Sequence, residues 1–385
     1  MKRLRLGILY GGRSGEHEIS LASAAAIFAN IDRTRYEPIA IRIEKDGRWV
    51  LADRPPSAAS AAEVIDQMKN ETTRVRGGRE VFLPPRPGDA TLVLVDRRSV
   101  RDEDSDTTAL TGLGLDVIFP VLHGPLGEDG TIQGLLELAN VAYVGCGVLA
   151  SAAGMDKAVM KVLFQAGGLR VPRWRVASRR DWRLDRAGVM ATIDQGLEYP
   201  LFVKPANLGS SVGISKVACH DELEAALDVA ALYDRKLLVE EGVKDAREIE
   251  CAVMGNHEIE TSVPGEVVPS REFYDYEAKY VDADSRVEIP ANLTDRQTEQ
   301  VRQQAAAAFK TVDGEGFARV DFLMNRSTGK LFVNEINTIP GFTTISMFAK
   351  LWEASGVAYP DLVDRLIALA IERHTEKQEL RTSAL

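Results

Sequence analysis

The N-terminal stretch alternates between an apolar strand, a glycine turn, a helix and a second strand. Residues 4–10 form an apolar run that ends at Gly11 and Gly12. A helical pattern with apolar residues on one face follows over 18–31, and 37–43 is typical of another strand. This order is the repeating unit of a doubly wound sheet. It predicts an α/β fold for the beginning of the chain.

Length and composition narrow the class of protein. The chain has 385 residues, enough for two or three domains of about 100–200 residues each. Its formal net charge of −10 disfavours non-specific nucleic-acid binding. No apolar run approaches the ~20 residues of a membrane helix, and the N-terminus lacks a signal-peptide pattern. Three distant cysteines without CxxC spacing argue against disulfides and a zinc site. We therefore expect a cytoplasmic protein without membrane or nucleic-acid partners.

Changes in the pattern predict the domain organisation. Between 46 and 111 the alternation of strands and helices fails, which indicates an insertion, and its charged run 96–106 is expected to be mobile. Apolar strands and helical segments then resume. We predict an N-terminal α/β domain at 1–146, a central domain at 147–243 and a C-terminal domain at 244–385.

The C-terminal domain has an α+β pattern. A hairpin is predicted at Gly255, followed by the long aperiodic segment 264–292. A segment of this length is uncommon as a simple connector, so we expect a lid. A helix at 294–311 and two strands at 317–324 and 330–337 follow.

These last two predicted strands carry charged residues at alternating positions. One antiparallel register sets Asp321 opposite Glu335 and Arg319 opposite Asn337, all on one face. Two carboxylates and an amide oxygen on one face are suited to Mg²⁺ and leave room for phosphate oxygens. The alternative is a surface salt-bridge ladder around Arg319.

The same register makes two further predictions. It centres the turn on Thr328, and it allows Phe322, Val333 and Ile336 to face the core. Beyond the second strand lies a loop that contains Gly341. A glycine there allows a backbone N–H to approach a developing oxyanion, which favours a catalytic site over the ladder.

A Gly/Ser-rich loop at 204–213 follows an apolar strand. Small residues let successive N–H groups approach phosphates, and Lys204 supplies a positive charge. The loop is not a Walker A motif, and such a loop can equally be a plain turn. Lys157, at the start of a predicted helix, and Lys279, in the predicted lid, offer further cations.

The turn at 11–18 lies where α/β sheets bind ligands. Its two glutamates, Glu16 and Glu18, suit an ammonium group, although acidic residues also cap first helical turns. His123 ends another strand, and we expect it to position a ligand rather than act as a base. No serine-nucleophile elbow is present, so covalent serine catalysis is disfavoured.

Together these segments resemble the D-alanine–D-alanine ligase family of the ATP-grasp superfamily. They occur in the family's order and extend over most of the chain. The matching segments are 11–20, 122–134, 155–157, 204–213, 274–280, 316–321 and 334–346. The resemblance implies a three-domain ATP-grasp fold with an N-terminal Rossmann-like (pre-ATP-grasp) domain, α/β in class with an α+β C-terminal part. It also implies ATP, two Mg²⁺ (or Mn²⁺) ions, an acyl-phosphate intermediate and a homodimer.

The resemblance carries roles onto residues that match the family's motifs. The catalytic residues would be Glu16, Ser210, Tyr280, Arg319 and Gly341. The substrate D-alanine would contact Glu16, His123, Ser346 and Met347. ATP would contact Lys157, Lys204, Ser211, Glu240, Glu241, Val243, Glu248, Lys279 and Asn334. The metal ligands would be Asp321, Glu335 and Asn337.

Four other functions remain as alternatives. D-lactate is a possible second substrate, but Tyr280 at the predicted lid favours an amine nucleophile within this resemblance. Other ATP-grasp ligases share the metal strands but not the Glu16 segment. A dinucleotide oxidoreductase would need a GxGxxG fingerprint, whose spacing fails here. A non-catalytic ATP-binding protein would be expected to lack a metal ligand.

Overall fold

The structure is a computed structural model that describes residues 2–58, 60, 62–64, 78–88, 91–97, 108–268 and 286–381. Its strands form three sheets, each accompanied by helices, in a mixed α/β fold. Within the described part of the chain, no helix is both long and apolar enough to cross a membrane.

The first sheet has eight strands. They are β1 Leu4–Gly11, β2 Tyr36–Ile43, β3 Trp49–Ala52, β4 Gly78–Phe82, β5 Leu92–Arg97, β6 Thr108–Leu113, β7 Val117–Val121 and β8 Ala142–Tyr143. Their order is β6-β5-β4-β3-β2-β1-β7-β8. The four strands β2, β1, β7 and β8 are parallel to one another. Helices α1 His17–Asn30 and α2 Thr131–Leu138 follow two of them, so the predicted α/β start is confirmed.

The region 46–111 contributes four strands, β3 to β6, to this same sheet. All of them pair antiparallel with their neighbours in the sheet. Because these strands are short and weakly alternating, the sequence pattern did not predict them. Most of the charged run 96–106 lies outside the described residues.

The second sheet is antiparallel and has four strands. They are β9 Trp174–Ser178, β10 Leu201–Pro205, β11 Ser215–Val217 and β12 Lys236–Glu241, in the order β11-β10-β12-β9. Two helices precede this sheet in the chain, α3 Val148–Met155 and α4 Lys157–Ala166. Three more connect its strands: α5 Arg179–Leu184, α6 Arg186–Gly196 and α7 His220–Tyr233. The sheet and α5 to α7 enclose their own core around Trp182, Leu201 and Leu227.

The third sheet is also antiparallel. Its strands are β13 Ala246–Gly255, β14 Glu260–Thr261, β15 Gly265–Val268, β16 Arg286–Glu288, β17 Gly316–Asn325 and β18 Leu331–Asn337. They run in the order β16-β15-β13-β17-β18, with β14 paired to β13. The accompanying helices are α8 Asp295–Thr311, α9 Met347–Ala354 and α10 Tyr359–Gln378.

Side-chain caps explain where two of these helices begin. The Asp156 carboxylate accepts hydrogen bonds from the N–H groups of Ala158 and Val159, and α4 ends with Gly167 as its C-cap. Thr294 and Gln297 form a reciprocal capping box at the start of α8.

The first and third sheets share one hydrophobic core. Residues of β1, β7, β13, β17, α9 and α10 belong to the same buried cluster. The Phe342 ring lies at its centre, with ring centroids 5.6 Å from Phe119 of β7 and 5.8 Å from Phe317 of β17. The loop after β18 is thereby packed against β7 of the first sheet.

Candidate active site

The hairpin of β17 and β18 brings the predicted charged residues together. Arg319 pairs with Asn337 and Asp321 with Glu335, which confirms the predicted register at this end. Beyond that point the register shifts by one residue, and Phe322 pairs with Val333. Asn334 is the extra residue, so the prediction of a turn centred on Thr328 was wrong.

The bulge has a physical cause that the sequence contained. Side chains of a regular strand alternate between faces, so Val333 and Ile336 cannot both point inward without an extra residue between them. Both are buried in the core under this sheet, as predicted, together with Phe322. The bulge at Asn334 therefore lets Val333 face the core while Glu335 faces the site.

Arg319 is surrounded by oxygen atoms. Its Nε and Nη2 donate to the two Asp321 carboxylate oxygens at 2.7 Å each, and its Nε lies 2.8 Å from Glu250 Oε2 on the neighbouring strand β13. The Asn337 amide donates to Asp321 Oδ2 at 2.9 Å. Burial opposes the charge, but Asp321 and Glu250 raise the pKa of Arg319 above its usual value. The Arg319–Asp321 ion pair expected of a surface salt-bridge ladder is present. The side chains of Arg319 and Asp321 are only 18% and 14% exposed, however, so this pair does not lie on an open surface.

Lys157 connects this cluster to the second sheet. It is the first residue of α4, and its Nζ lies 3.7 Å from Glu335 Oε2 and donates to the Leu208 carbonyl at 2.9 Å. Its backbone N–H also donates to the Ala206 carbonyl. The start of α4 thus holds the Gly/Ser loop opposite the β17–β18 carboxylates.

Glu240 lies between two lysines behind this loop. Its carboxylate forms ion pairs with Lys204, at the end of β10, and with Lys161 of α4 at 2.7 Å. All three side chains are buried. Burial alone would raise the pKa of Glu240, but the two ammonium groups lower it to about 2.

The other predicted nucleotide contacts are distributed around Glu240. Glu241 points to the opposite face of β12, where it pairs with Arg173, so only its backbone can share a ligand with Glu240. Val243 lies after the end of β12 rather than in it. Glu248 is on β13. Burial lowers the pKa of Lys204, but Glu240, Glu335 and, to a smaller extent, Glu248 raise it.

Glu16 reaches from the first sheet to the Gly/Ser loop. Its Oε1 accepts a hydrogen bond from the Ser210 hydroxyl. Glu16 stands at the N-cap of α1, but its side chain makes no capping hydrogen bond. Glu18 instead pairs with Lys45 at 2.6 Å. Ser211 follows Ser210, and both have a left-handed backbone.

His123 is buried beside Glu16. Its Nδ1 lies 2.9 Å from the Ile339 carbonyl, and its Nε2 lies 3.2 Å from the Ser23 hydroxyl. Burial lowers the pKa of His123, but Glu128 more than offsets this and raises it. These contacts hold the imidazole in place and agree with a positioning role.

The loop after β18 ends at the start of α9. Ser346 is the N-cap of that helix, and its Oγ lies 2.7 Å from Thr343 Oγ1 and accepts from the Thr343 N–H at 3.1 Å. It makes no side-chain bond to α9, whose first N–H groups are left for other acceptors. Met347 is buried, and Gly341 lies beside Ser346.

Two predicted residues cannot be placed. Lys279 and Tyr280, like most of the predicted lid at 264–292, lie outside the described residues. Where residues are described, no cluster of three or more His, Cys, Asp or Glu side chains could hold a metal. The predicted metal set has two carboxylates, and its third member is the amide of Asn337.

Sequence reasoning did not select three residues of this region. Lys161 lies one helical turn after Lys157, a spacing that places both on one face of α4. Glu128 lies in the same short segment as His123. Glu250 alternates with Glu248 on β13 and pairs with Asp321 in the sheet. Helical spacing and strand alternation were the signals that could have identified them.

Lysines facing a cluster of oxygen donors across two sheets are typical of enzymes that bind a polyphosphate with divalent cations. Family models then specify the class. Residues 5–146 match the model described as "D-ala D-ala ligase N-terminus", and 163–368 match "D-ala D-ala ligase C-terminus". The chain belongs to the D-alanine–D-alanine ligase family of ADP-forming ligases.

Individual relatives support the same assignment. The chain is 47% identical over 385 residues to a D-alanine–D-alanine ligase of Heliobacterium modesticaldum, with 100% of this chain and 99% of the relative covered. It is 48% identical over 385 residues to D-alanine–D-alanine ligase A of Bradyrhizobium diazoefficiens, with 98% of each covered.

Solved structures share the fold. The D-alanine–D-alanine ligase from Coxiella burnetii has a TM-score of 0.79 at 36% identity, covering 98% of this chain and 97% of that one. The VanG D-Ala:D-Ser ligase from Enterococcus faecalis also has a TM-score of 0.79, at 31% identity, covering 96% and 100%. The fold is therefore the multi-domain ATP-grasp α/β fold of these ligases.

Proposed function

We propose that this protein uses ATP to join two D-alanine molecules into D-alanyl-D-alanine, releasing ADP and phosphate, for peptidoglycan precursor synthesis in the cytoplasm. Family membership supports the reaction class. The observation that carries the proposal is the hydrogen bond between Ser210 and Glu16. It puts a carboxylate suited to a substrate ammonium beside a loop suited to phosphates.

ATP would lie between the second and third sheets. Lys157 and Lys204 would contact its phosphates, and Glu240, Glu241, Val243 and Glu248 its adenosine part. Ser211 and Asn334 would also contact the nucleotide. The lysines neutralise phosphate charge and hold the terminal phosphoryl group in one orientation.

The residues of β17 and β18 fit divalent cations. Asp321, Glu335 and Asn337 present two carboxylates and an amide, the hard oxygen donors that Mg²⁺ or Mn²⁺ takes. The Asn337 amide nitrogen donates a hydrogen bond to Asp321, so the Asn337 carbonyl oxygen can face a cation as a metal ligand. When bound, two such ions would neutralise charge on the phosphates.

The first D-alanine would bind through its ammonium group at Glu16, with His123 holding the surrounding loop. Its carboxylate oxygen attacks the terminal phosphoryl group of ATP, which forms an acyl phosphate and ADP. The chain's part is to orient the two reactants and to exclude water, since hydrolysis of the acyl phosphate competes with the next step.

The second D-alanine would enter near Ser346 and Met347, its carboxylate toward the open N–H groups of α9. Its amine attacks the acyl-phosphate carbonyl, the tetrahedral intermediate collapses and phosphate leaves. Arg319 and the Gly341 N–H would stabilise the oxyanion. Lys279 and Tyr280 of the predicted lid would complete the site, Tyr280 linked to Glu16 and Ser210.

We also propose the three-domain division at 1–146, 147–243 and 244–385, and a homodimer. The strands of the three sheets lie at 4–143, 174–241 and 246–337, which supports the division. The homodimer rests on the resemblance to the family alone.

An ADP-release assay across candidate acceptors tests the reaction. With Mg²⁺, D-alanine alone should support release, while L-alanine should not. Added D-lactate or D-serine should not replace the second D-alanine; D-serine is included because one similar structure is a D-Ala:D-Ser ligase. Preferential formation of a mixed product would overturn the assignment of the second substrate.

A variant pair tests the site. Asp321→Asn should reduce turnover by at least about 100-fold, because a group that orients the phosphoryl-transfer machinery is lost. Asp361→Asn, on the exposed first turn of α10, is the matched control and should retain activity. Equal activity of the two variants would contradict the site.

A further inference from the structure

The group formed by Lys161, Glu240 and Lys204 carries more positive than negative charge. Two ammonium groups share one carboxylate, and the side chains are 1%, 3% and 11% exposed. A buried surplus charge is unfavourable unless another group compensates it. Glu335 also acts electrostatically on both lysines, and Glu248 acts on Lys204.

The two lysines differ in their freedom to move. Lys204 is the second-last residue of β10 and borders the Gly/Ser loop, so its ammonium can turn toward a ligand in front of that loop. Lys161 lies in the middle of α4 and is the less exposed of the two. Its Nζ lies 2.7 Å from Glu240 and has no other hydrogen-bond acceptor among the described residues.

We propose that Lys161 is a positioning residue for nucleotide binding: the fixed counter-ion that holds Glu240 in place and frees Lys204 to bind phosphate. This inference rests on the proposed function. Before the nucleotide binds, Lys161 and Lys204 share the Glu240 carboxylate. Lys161 thereby weakens the ion pair between Lys204 and Glu240. When Lys204 moves to the phosphates, Lys161 remains and Glu240 keeps a buried partner.

The proposal distinguishes Lys161 from a lysine that merely fills space. Without Lys161, Glu240 and Lys204 form a closed neutral pair. Phosphate binding then requires Lys204 to leave a buried carboxylate that has no other cation, which costs binding free energy. If residue 240 is uncharged, that cost disappears and Lys161 loses its effect.

A double-mutant cycle on Mg²⁺-ADP binding to the full chain, measured by calorimetry, tests this coupling. Lys161→Met should weaken ADP binding by about tenfold in the wild-type background, but by less than about twofold in the Glu240→Gln background. Lys236→Met is the control: Lys236 pairs with Asp156 at the N-terminus of α4, and its effect should add to that of Glu240→Gln.

The thermal midpoint without nucleotide shows whether each variant is folded. If Lys161→Met does not fold, Lys161→Gln removes the charge while keeping a donor toward Glu240, and the same cycle applies. Additive effects of the substitutions at 161 and 240 would overturn the role of Lys161. Failure of the wild-type chain to bind ADP at all would instead overturn the proposed function.

Discussion

Glu16 is held by residues that are remote in sequence. The Glu16 carboxylate packs against two glycines. A Cβ atom added to Gly124 would lie 2.5 Å from Glu16 Oε2, and one added to Gly209 would lie 3.1 Å from the same oxygen. Gly124 also has a φ of +73°, which favours glycine. The position of this carboxylate therefore depends on the absence of side chains around it.

Gly124→Ala tests that dependence. We expect kcat/KM for D-alanine to fall by about 100-fold, because the new methyl group displaces the Glu16 carboxylate. Gly134→Ala is the matched control. It lies in α2, where an added Cβ meets no atom within 4 Å, so activity should be unchanged. Wild-type kinetics for Gly124→Ala would contradict the placement of Glu16.

Glu240 should make stability depend on acid pH. Its pKa is about 2 in the folded protein, below the usual 4.5, so its contribution is present above about pH 4.5 and is lost as the pH falls toward 2. Glu240→Gln should lower the free energy of unfolding at neutral pH by about 3–5 kcal/mol, because it leaves two buried cations unpaired.

The measurement is urea denaturation of both proteins from pH 7 downward, in which the difference should shrink below pH 4.5. Glu241→Gln removes a more exposed pair on the same strand and should cost less than about 1 kcal/mol. If the loss of unfolding free energy caused by Glu240→Gln does not change with pH, the ion pairs of Glu240 are not the cause of that loss.

At the scale of elements, the bulge at Asn334 joins the core to the active site. Deletion of Asn334 would restore a regular ladder and force either Val333 out of the core or Glu335 out of the site. We expect loss of activity together with a lower melting temperature. Deletion of Ser327, in the exposed turn, is the comparison and should retain more activity, because the register next to Asp321 is set by the strands.

A second element carries stability without function. The Thr294–Gln297 capping box begins α8, whose buried residues Val301, Ala305 and Phe309 pack beneath the third sheet. Thr294→Ala should cost about 1 kcal/mol in the free energy of unfolding, with KM for both substrates unchanged. A change in KM without a change in stability would show that this helix end contributes to the site.

At the scale of the molecule, the shared core of the first and third sheets positions the loop that carries Gly341 and Ser346. Phe342 is 1% exposed in that core, and its N–H donates to the Ser23 hydroxyl of α1. Its carbonyl accepts from the Tyr359 hydroxyl at 2.6 Å. The loop is thus fixed from both sides.

Phe342→Ala should lower the free energy of unfolding by about 3–5 kcal/mol through the cavity it leaves. Turnover should fall as well, because the Gly341 N–H is then less well oriented. Phe164→Ala, in a different core, is the comparison: it should destabilise similarly, but turnover of the folded fraction should be affected less. Equal kinetic effects would mean that the loop is positioned by other contacts.

Much of this arrangement was predictable where local patterns are strong. The β1–α1–β2 unit and the pairing of Asp321 with Glu335 follow from apolar periodicity and strand alternation. The four antiparallel strands β3 to β6 did not, because such short strands leave little periodic signal. The bulge at Asn334 was implied by Val333 and Ile336 but was not recognised.

The sequence by itself determined the local chemistry: an acidic turn after the first strand, a lysine-flanked Gly/Ser loop, and a strand pair with carboxylates on one face. Periodicity and residue type are properties of neighbouring positions, so they can be read without coordinates. Only the tertiary structure decided that Glu16 meets Ser210 and that Lys161 shares Glu240 with Lys204. Such contacts join distant parts of the chain and depend on how whole sheets and helices pack, which no local pattern specifies.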